Sequence, residues 1–512
     1  MTTIAGAGVS ANAYLSGVKN SPAPTPPFVD RAKVGKPMAG TVTPATTTES
    51  RVSLGGSVAV DPTYRNPFET RRNLAWASAP NDALSQLMFR NISAQVQSPS
   101  RQERLLAGLG TQALNQLATT ASDFQQTVVD YQALNWNPVG DPESESFRST
   151  PVSRTTDIEA LALAKNSTNS IRLTLQTTSG KSLGIALSFG RVGNEITSSL
   201  SVEGTVNGAL DEAEQAAVAA LSSGFEKVLR AIGENASSID VSGLVDYDAS
   251  LISGVDLSVS RGVQLGVDLK TLEFHADAKG RSLTVQRRSG AFSVSVDFSR
   301  SALLGTAEQQ KAAVSRYLDQ FEEDARRGHG DRTRLQEFKA AFSQLNAHVP
   351  GTPAASGSLG RDRSLLSGLA DFKATLNNDF AHSGAGGVTV EAGHMDYQVT
   401  QDTTVTGKDK FSGLSVTQVQ STRLKSVFVR SFGGEMLDTS KGNYELLTID
   451  DEMSVKTTFS YAKNELQNAS RQRLIKQLEQ LEKYVDHQLV SSRETPATQS
   501  TFEDYADWLM SA

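Results

Sequence analysis

The distribution of proline is the sequence feature that most restricts how this chain can fold. Half of its sixteen prolines lie within the first 68 residues, and none falls between Pro151 and Pro350. Proline fixes one backbone torsion and lacks the amide proton that the interiors of helices and sheets need. The proline-free block therefore predicts the folded centre of the protein. The proline-rich start has too few apolar residues to offset its ordering entropy, and it predicts a disordered arm over residues 1–70.

Composition divides the rest of the 512-residue chain into further segments. A chain of this length is expected to form two or three domains. We expect a helical segment over residues 81–134, a central α+β domain over 155–348 and a linker over 349–363, which is rich in Gly, Ser and Pro. A C-terminal α+β domain over 364–492 and a tail over 493–512 complete this prediction.

Hydrophobic periodicity in the centre predicts an antiparallel α+β fold. Alternating apolar residues at 171–175 and 183–189 predict a hairpin, and strands are expected near 252–260, 262–275, 282–288 and 291–299. Helical spacing predicts a helix from Asp211 to Ile232 and a helical hairpin that opens at Thr306 and Gln309. The fold class is therefore α+β, with antiparallel β-sheet segments packed against amphipathic helices and helical hairpins.

Helical spacing also occurs on both sides of this centre. Leu105, Leu109, Leu117, Phe124 and Val128 predict that the second helix of the 81–134 segment continues past residue 124. In the C-terminal third we expect a short helix near 364–379 and strands near 387–401, 413–431 and 442–460. A long helix is expected from about 462 to 492, because Leu474, Leu478, Leu481 and Val485 are spaced by four, three and four residues.

One central segment carries a resemblance. Ser201-Val-Glu-Gly204 precedes Ala209-Leu-Asp-Glu-Ala-Glu214, which opens the predicted helix, and an apolar strand follows from Leu251 to Leu257. This pattern is similar to one in uncharacterised proteins of Pseudomonas- and Vibrio-like bacteria that carry a domain of unknown function. It covers about residues 165–300, and Asn207-Gly208 is an insertion relative to the family pattern. The resemblance implies a bacterial origin and no known activity.

Charge and composition exclude several classes of function. The formal net charge is −7, which weighs against nucleic acid as a partner because phosphate contacts need a basic surface. The chain has no cysteine, so disulfides, thiolate metal sites and cysteine nucleophiles are excluded. No apolar run is long enough to span a bilayer, and no nucleotide-binding glycine motif is complete. We therefore expect no cofactor and no transmembrane segment.

The first eighteen residues contain no charged side chain. They lack the basic start and the continuous apolar stretch of a cleavable secretory signal. Small, polar, uncharged leaders of this kind resemble the uncleaved export leaders of flagellar or type III substrates. An ordinary unstructured terminus has the same composition, so the expected localisation is either cytoplasmic or exported without a cleavable signal peptide.

Histidine offers one candidate metal site. Of the six histidines, His382 and His394 flank a glycine-rich loop, and Asp396 lies two residues beyond the second. Imidazole and carboxylate groups could hold a divalent metal if a hairpin folded them together. A loop rich in small polar residues beside a strand would have the same sequence. The sequence contains no recognisable motif that pairs a nucleophile with a base, so no catalytic residue is assigned.

The C-terminus offers a candidate partner surface. Phe502, Tyr505, Trp508 and Leu509 lie in a short acidic segment after a Ser/Thr/Pro spacer, and three of them share a face if the segment is helical. Such a segment could dock into a groove of a partner protein, cover the chain's own core or act as an export signal. A protein partner is therefore expected to bind through the N-terminal arm or this aromatic tail.

These observations favour a non-catalytic bacterial protein with a structural or interaction role, exported or surface-associated. Two alternatives stay open. One is a hydrolase that uses dispersed carboxylates or a metal held by His382 and His394, and the other is a secreted effector with an export signal in its leader. The sequence leans away from an enzyme, since no catalytic constellation is assembled in it.

Overall fold

The computed structural model describes residues 68–97, 103–120, 122–136, 156–192, 196–262, 266–347 and 360–505. The predicted N-terminal arm lies outside these residues up to position 67, and the first strand begins at Phe68. The described residues belong to a single compact unit that starts at this phenylalanine.

The fold is α+β, as predicted, and its strands form a single antiparallel sheet of fifteen strands within the described residues. Along the sheet the order is β1-β2-β5-β4-β3-β6, and β7 to β15 follow in sequence order. The strands are β1 (Phe68–Trp76), β2 (Phe124–Trp136), β3 (Asn169–Thr177), β4 (Ser182–Val192), β5 (Ile196–Asn207), β6 (Ile252–Ser260), β7 (Leu269–Asp277), β8 (Gly280–Arg287), β9 (Gly290–Asp297), β10 (Asp371–Ser383), β11 (Thr389–Thr406), β12 (Leu414–Arg430), β13 (Tyr444–Ala462), β14 (Glu465–Val485) and β15 (Gln488–Asp504).

Seven helices of eight or more residues occur in the described ranges. They are α1 (Ala83–Gln97), α2 (Leu109–Thr120), α3 (Asp157–Ala164), α4 (Glu212–Ala220), α5 (Ser222–Gly233), α6 (Ala307–Arg327) and α7 (Arg332–Leu345). The predicted helix from Asp211 to Ile232 is confirmed, although it divides at Leu221 into α4 and α5. The helical hairpin of α6 and α7 is confirmed as well, and the Thr306 side chain accepts the backbone N–H of Gln309 as expected.

One face of the sheet carries the main hydrophobic core. Alternate residues of each central strand point to this face, as Leu173, Leu257 and Phe274 do on neighbouring strands. Apolar side chains of α1, α2 and α4 to α7 pack against them, so we call it the helix-covered face. Helix α3 instead packs on the opposite face, against Val129 and Tyr131 of β2. The opposite face of β6 to β11 is polar, and we call it the open face.

Two glycines allow helices to approach closely. A Cβ on Gly110 of α2 would lie 2.9 Å from the backbone nitrogen of Glu226 in α5, and a Cβ on Gly224 would meet the backbone of Gly243 at 2.5 Å. The same approach lets the Glu226 carboxylate accept the backbone N–H groups of Gly108 and Gly110 at 2.7 and 3.0 Å. One helix therefore caps the start of another.

Three predicted helices are wrong. The helical segment expected over 81–134 ends at Thr120, and residues 124–136 form β2, in which Thr127-Val-Val129 suits a strand because β-branched side chains pack well on a pleated surface. The short helix expected near 364–379 is replaced by a 3₁₀ turn at Gly360–Leu365 and by β10. The long helix expected over 462–492 is instead the end of β13, all of β14 and the start of β15.

Two tight turns connect β13 to β14 and β14 to β15. Lys463 and Asn464 both have positive φ, as do Asp486 and His487, and each pair forms a two-residue hairpin turn. Neither pair contains glycine, so the usual sequence signal of a hairpin is missing at both turns. Between these turns β14 runs for 21 residues, and its leucines are divided between the two faces of the sheet.

Candidate functional site

The candidate functional site is a groove on the helix-covered face of the sheet. It lies where α6 and the 360–367 segment meet strands β12 to β15, and its volume is about 790 Å³. We call it the arginine groove. The residues that line it are Gln309, Ala313, Arg316, Tyr317, Gln320, Ser364, Leu365, Leu366, Ser367, Gln418, Gln420, Met453, Val455, Thr457, Arg471, Arg473, Thr501 and Glu503.

The groove forms because the sheet extends beyond the helices that cover it. The alternation of side chains turns Val455 and Thr457 of β13 toward the groove, and the register places Arg473 and Arg471 of β14 directly opposite them. On β15, Thr501 and Glu503 continue the same two rows. No described α-helix other than α6 contributes a residue to its lining, so these polar side chains stay accessible from one side.

The floor of the groove is a hydrogen-bonded layer of glutamines. Gln401 is fully buried and donates from its amide to the carbonyls of Leu369 and Ala370, both at 3.1 Å. Its carbonyl accepts the Gln420 amide at 3.2 Å and the Tyr317 hydroxyl at 3.3 Å. Burial raises the pKa of Tyr317, which keeps this hydroxyl a donor. Because Gln420 donates from its Nε2 to Gln401, its Oε1 is free to accept a hydrogen bond from a further donor.

Arg471 is held by the protein itself. Its guanidinium donates to the carbonyl of Leu365 at 2.9 Å and to the Thr457 hydroxyl at 3.3 Å. It also lies 5.4 Å from the centre of the Tyr505 ring, in a cation–π contact. These contacts fix the β14 strand to the 360–367 segment. Arg471 therefore closes one end of the groove as a structural element.

Arg316 and Arg473 are different, because neither forms an ion pair with a described carboxylate. Arg316 projects from α6, and Arg473 projects from β14 and contacts the Met453 sulfur at 3.7 Å. Glu503 is the one carboxylate in the lining, and it accepts the Tyr505 hydroxyl. This hydrogen bond raises the pKa of Tyr505. Within the described residues the groove thus holds two exposed guanidinium groups without a carboxylate partner, in a chain whose net charge is −7.

Guanidinium groups in a concave site select for anions. The fork of N–H donors matches a carboxylate or a phosphate in two parallel hydrogen bonds. Arg316 and Arg473 are exposed, so both guanidinium groups are accessible to such an anion. The arginine groove therefore has the chemistry of an anion-binding site.

The structure does not bring the predicted metal ligands His382 and His394 together. His394 lies on the open face, where its Nδ1 is 2.7 Å from Asp379 Oδ1 and its Nε2 is 3.4 Å from Asp396 Oδ1. His382 lies on the helix-covered face, where its Nε2 donates to the His329 carbonyl at 2.8 Å. Asp396 is thus beside one of the two histidines. Among the described residues, no group of three or more metal-ligating side chains converges on one point.

The predicted partner residues are placed only in part. Phe502 lies in β15 rather than on a helix, and its side chain is 68% exposed. Tyr505 follows the strand, donates its N–H to the Ala469 carbonyl at 2.7 Å and packs against the small core at Leu365 and Phe459. Trp508 and Leu509 lie outside the described residues, as does the N-terminal arm up to residue 67.

Sequence reasoning missed all three arginines of the groove. Arg471 and Arg473 are spaced by two residues, which is the signal for one face of a strand. The helical interpretation of this segment hides that signal, because a spacing of two on a helix turns side chains away from each other. Arg316 carries no signal of its own, since an arginine on an exposed helix face is ordinary.

Comparisons with models of known protein families, with curated proteins and with solved structures find no match for this chain. The bacterial resemblance of residues 165–300 therefore stays a prediction, and the groove has to be interpreted from its own chemistry. No helix in the described ranges is both long and apolar enough to cross a membrane.

Proposed function

We propose that this chain is a non-catalytic interaction protein that holds a partner in the arginine groove. The observation that carries the proposal is the pair of guanidinium groups, Arg316 on α6 and Arg473 on β14, that line one cavity without a described carboxylate partner. Both side chains are exposed, so their N–H donors are available to a ligand that enters the groove from solvent. A bound anionic group would supply the missing partner to both walls of the groove.

The lining supports binding rather than catalysis. It contains no histidine among its described residues, and its single carboxylate, Glu503, is engaged by Tyr505. The serine and threonine hydroxyls there have no base beside them to activate a nucleophile. Four of the other polar side chains are glutamines, whose amides donate and accept hydrogen bonds but do not exchange protons.

The wider setting of the proposal is bacterial, with export or surface association. It rests on the resemblance of residues 165–300 and on the uncharged first eighteen residues. Fractionation of the native host tests this part separately. Uncleaved protein in the envelope or medium would support it, whereas protein confined to the cytoplasm would contradict it. Deletion of residues 2–20 should then abolish export without changing the melting temperature.

The groove itself is tested by charge reversal. The double variant Arg316→Glu and Arg473→Glu is compared with the intact chain as bait in the native host extract, with Arg326→Glu as the matched control. Arg326 is also on α6, but its side chain is 74% exposed and pairs with Glu323, away from the groove. We expect one specific partner to be lost by the double variant and kept by the control.

Two results would contradict the proposal. Equal retention of every partner by the double variant and the intact chain would place the interaction elsewhere on the protein. A turnover of any substrate that disappears in the double variant would make the groove an active site. Circular dichroism of each variant checks that the fold is intact before the comparison is made.

A further inference from the structure

We infer that the ligand of the arginine groove is an acidic polypeptide segment that presents at least two carboxylates, one to Arg316 and one to Arg473. This inference rests on the proposed function and adds the chemical class of the partner. Three features of the groove support it: the charge on the two walls, the hydrogen-bonding group on the floor, and the aromatic content of the lining.

The two walls of the groove each carry positive charge. Arg316 and Arg473 belong to different walls, one a helix and one a strand, so a ligand between them meets a guanidinium on each side. Each fork is suited to a bidentate contact with a carboxylate. A ligand that crosses the groove with acidic side chains on both sides would pair with both arginines at once.

The floor of the groove offers a hydrogen-bond acceptor, the side-chain carbonyl of Gln420. The Gln401 amide donates to two backbone carbonyls, so its own carbonyl must accept from the Gln420 amide. Gln420 Oε1 is then an acceptor with no described donor, and it lies in the same cavity as the two arginines. A ligand that matches all three groups offers N–H donors together with carboxylates. Polypeptides have this combination, because every residue except proline carries a backbone N–H.

The aromatic content of the lining distinguishes an acidic peptide from nucleic acid, the other common extended polyanion. Proteins that hold single strands combine basic residues with aromatic faces on which the bases stack. The described lining contains one aromatic residue, Tyr317, which is 7% exposed and packed edge-on against Phe342 and Phe372. No face of this ring is available to a base. The lining therefore favours an acidic peptide.

The experiment measures fluorescence anisotropy of labelled ten-residue peptides with the full chain. One peptide alternates Glu and Ser, and the matched peptide alternates Gln and Ser, so the two differ in charge and hardly in size. A charge-assisted hydrogen bond contributes more than a neutral one, so we expect the acidic peptide to bind at least about tenfold more tightly. Arg316→Gln and Arg473→Gln should each weaken it about tenfold, and Arg326→Gln should leave it unchanged.

Each contrary outcome has a separate meaning. Equal binding of the two peptides, or no binding of either, overturns the acidic-peptide inference while the host-extract experiment still decides the proposed function. Tighter binding of an oligo-uronate or of single-stranded DNA, lost in Arg473→Gln, replaces the polypeptide with that ligand class and keeps the groove. Binding that survives both arginine substitutions removes the groove as the site, and the proposed function fails with it.

Discussion

Arg287 and Glu337 form a buried ion pair that joins β8 to helix α7. The Arg287 Nε lies 2.9 and 3.1 Å from the two carboxylate oxygens, and each side chain is only 2% exposed. Arg334 donates to the same carboxylate at 2.9 Å, and Arg287 also donates to the carbonyl of Ala236. The helical hairpin is therefore attached to the sheet through a charged contact as well as through its phenylalanines.

Removing one partner of this pair should be strongly destabilising. In Glu337→Ala, the buried Arg287 guanidinium loses its closer carboxylate partner and keeps Asp268 at 3.6 Å, so we expect a loss of about 3 kcal/mol in the free energy of unfolding, the lower end for a broken buried pair. Urea titration followed by circular dichroism measures it. Glu323→Ala is the control, because Glu323 is 77% exposed and pairs with Arg326 at 3.7 Å. That change should cost less than about 1 kcal/mol, and equal losses in the two variants would contradict the prediction.

Glu214 should give the protein a pH-dependent contribution to stability. Its carboxylate accepts Lys181 Nζ at 2.6 Å, the Ser179 hydroxyl and the Asp211 backbone N–H, and these contacts lower its pKa to about 2. Because this folded-state pKa lies below that of the unfolded chain, the contribution is present above pH 4.5 and is lost as the pH falls toward 2.

Glu214→Gln isolates this contribution. At pH 7 the variant should be less stable than the intact chain by about 1–3 kcal/mol, since it loses charge-assisted hydrogen bonds. The difference in urea midpoint should shrink between pH 5 and pH 3, where the carboxyl of the unfolded chain takes up its proton first. A difference that stays constant over this range would show that packing, and not the charge of Glu214, is responsible.

The pKa of Asp324 is shifted in the opposite direction to that of Glu214, so its effect on stability should have the opposite dependence on pH. Burial raises its pKa, although the Tyr397 hydroxyl donates to it at 2.6 Å and Gln320 also contacts it, and the nearby Asp451 charge adds to the rise. A raised folded-state pKa contributes stability at low pH that is lost as the pH rises through that value. Asp324→Asn should therefore gain stability relative to the intact chain between pH 4 and pH 7.

The measurement is the difference in melting temperature between this variant and the intact chain across that range. Asn keeps an oxygen that can accept the Tyr397 hydroxyl, so the substitution changes charge and leaves the size of the side chain almost unchanged. Asp319→Asn on the exposed side of the same helix serves as the control and should show no such trend. A constant difference for Asp324→Asn would mean that the carboxyl titrates normally.

Local patterns made the centre of this fold predictable. In β8 and β9 apolar residues alternate strictly, so Val285, Phe292 and Val294 could be placed on one buried face from the sequence alone. The α6–α7 hairpin has helical periodicity, the Thr306 cap and a loop bracketed by Gly328 and Gly330. In both cases the signal that selects the structure lies within a few residues of the element it selects.

The C-terminal strands were not predictable in this way. The helix-covered face of β14 is only half-buried, so Arg471, Arg473 and Gln477 occupy positions that would be apolar in a buried strand. Leu474 and Leu478 lie on the opposite face of β14, and their spacing of four residues matches that of a helix. One wall of the arginine groove is formed by this strand, and the other wall is formed by α6, which carries Arg316 and is distant in sequence. Only the tertiary structure brings the two together.

An engineered disulfide would establish the corrected topology directly. Thr448 of β13 lies opposite Gln480 of β14 in the register, where Cβ atoms are about 4.5–5.5 Å apart, within reach of a slightly adjusted disulfide. Because the chain has no cysteine, Thr448→Cys with Gln480→Cys can form only one intramolecular bond. Ser454→Cys with Gln480→Cys is the control, since Ser454 lies opposite Leu474, roughly 20 Å along the strand. Oxidation should close the first pair and leave the second free, as gel mobility and peptide mass will report. A helix over 462–492 would leave both pairs open.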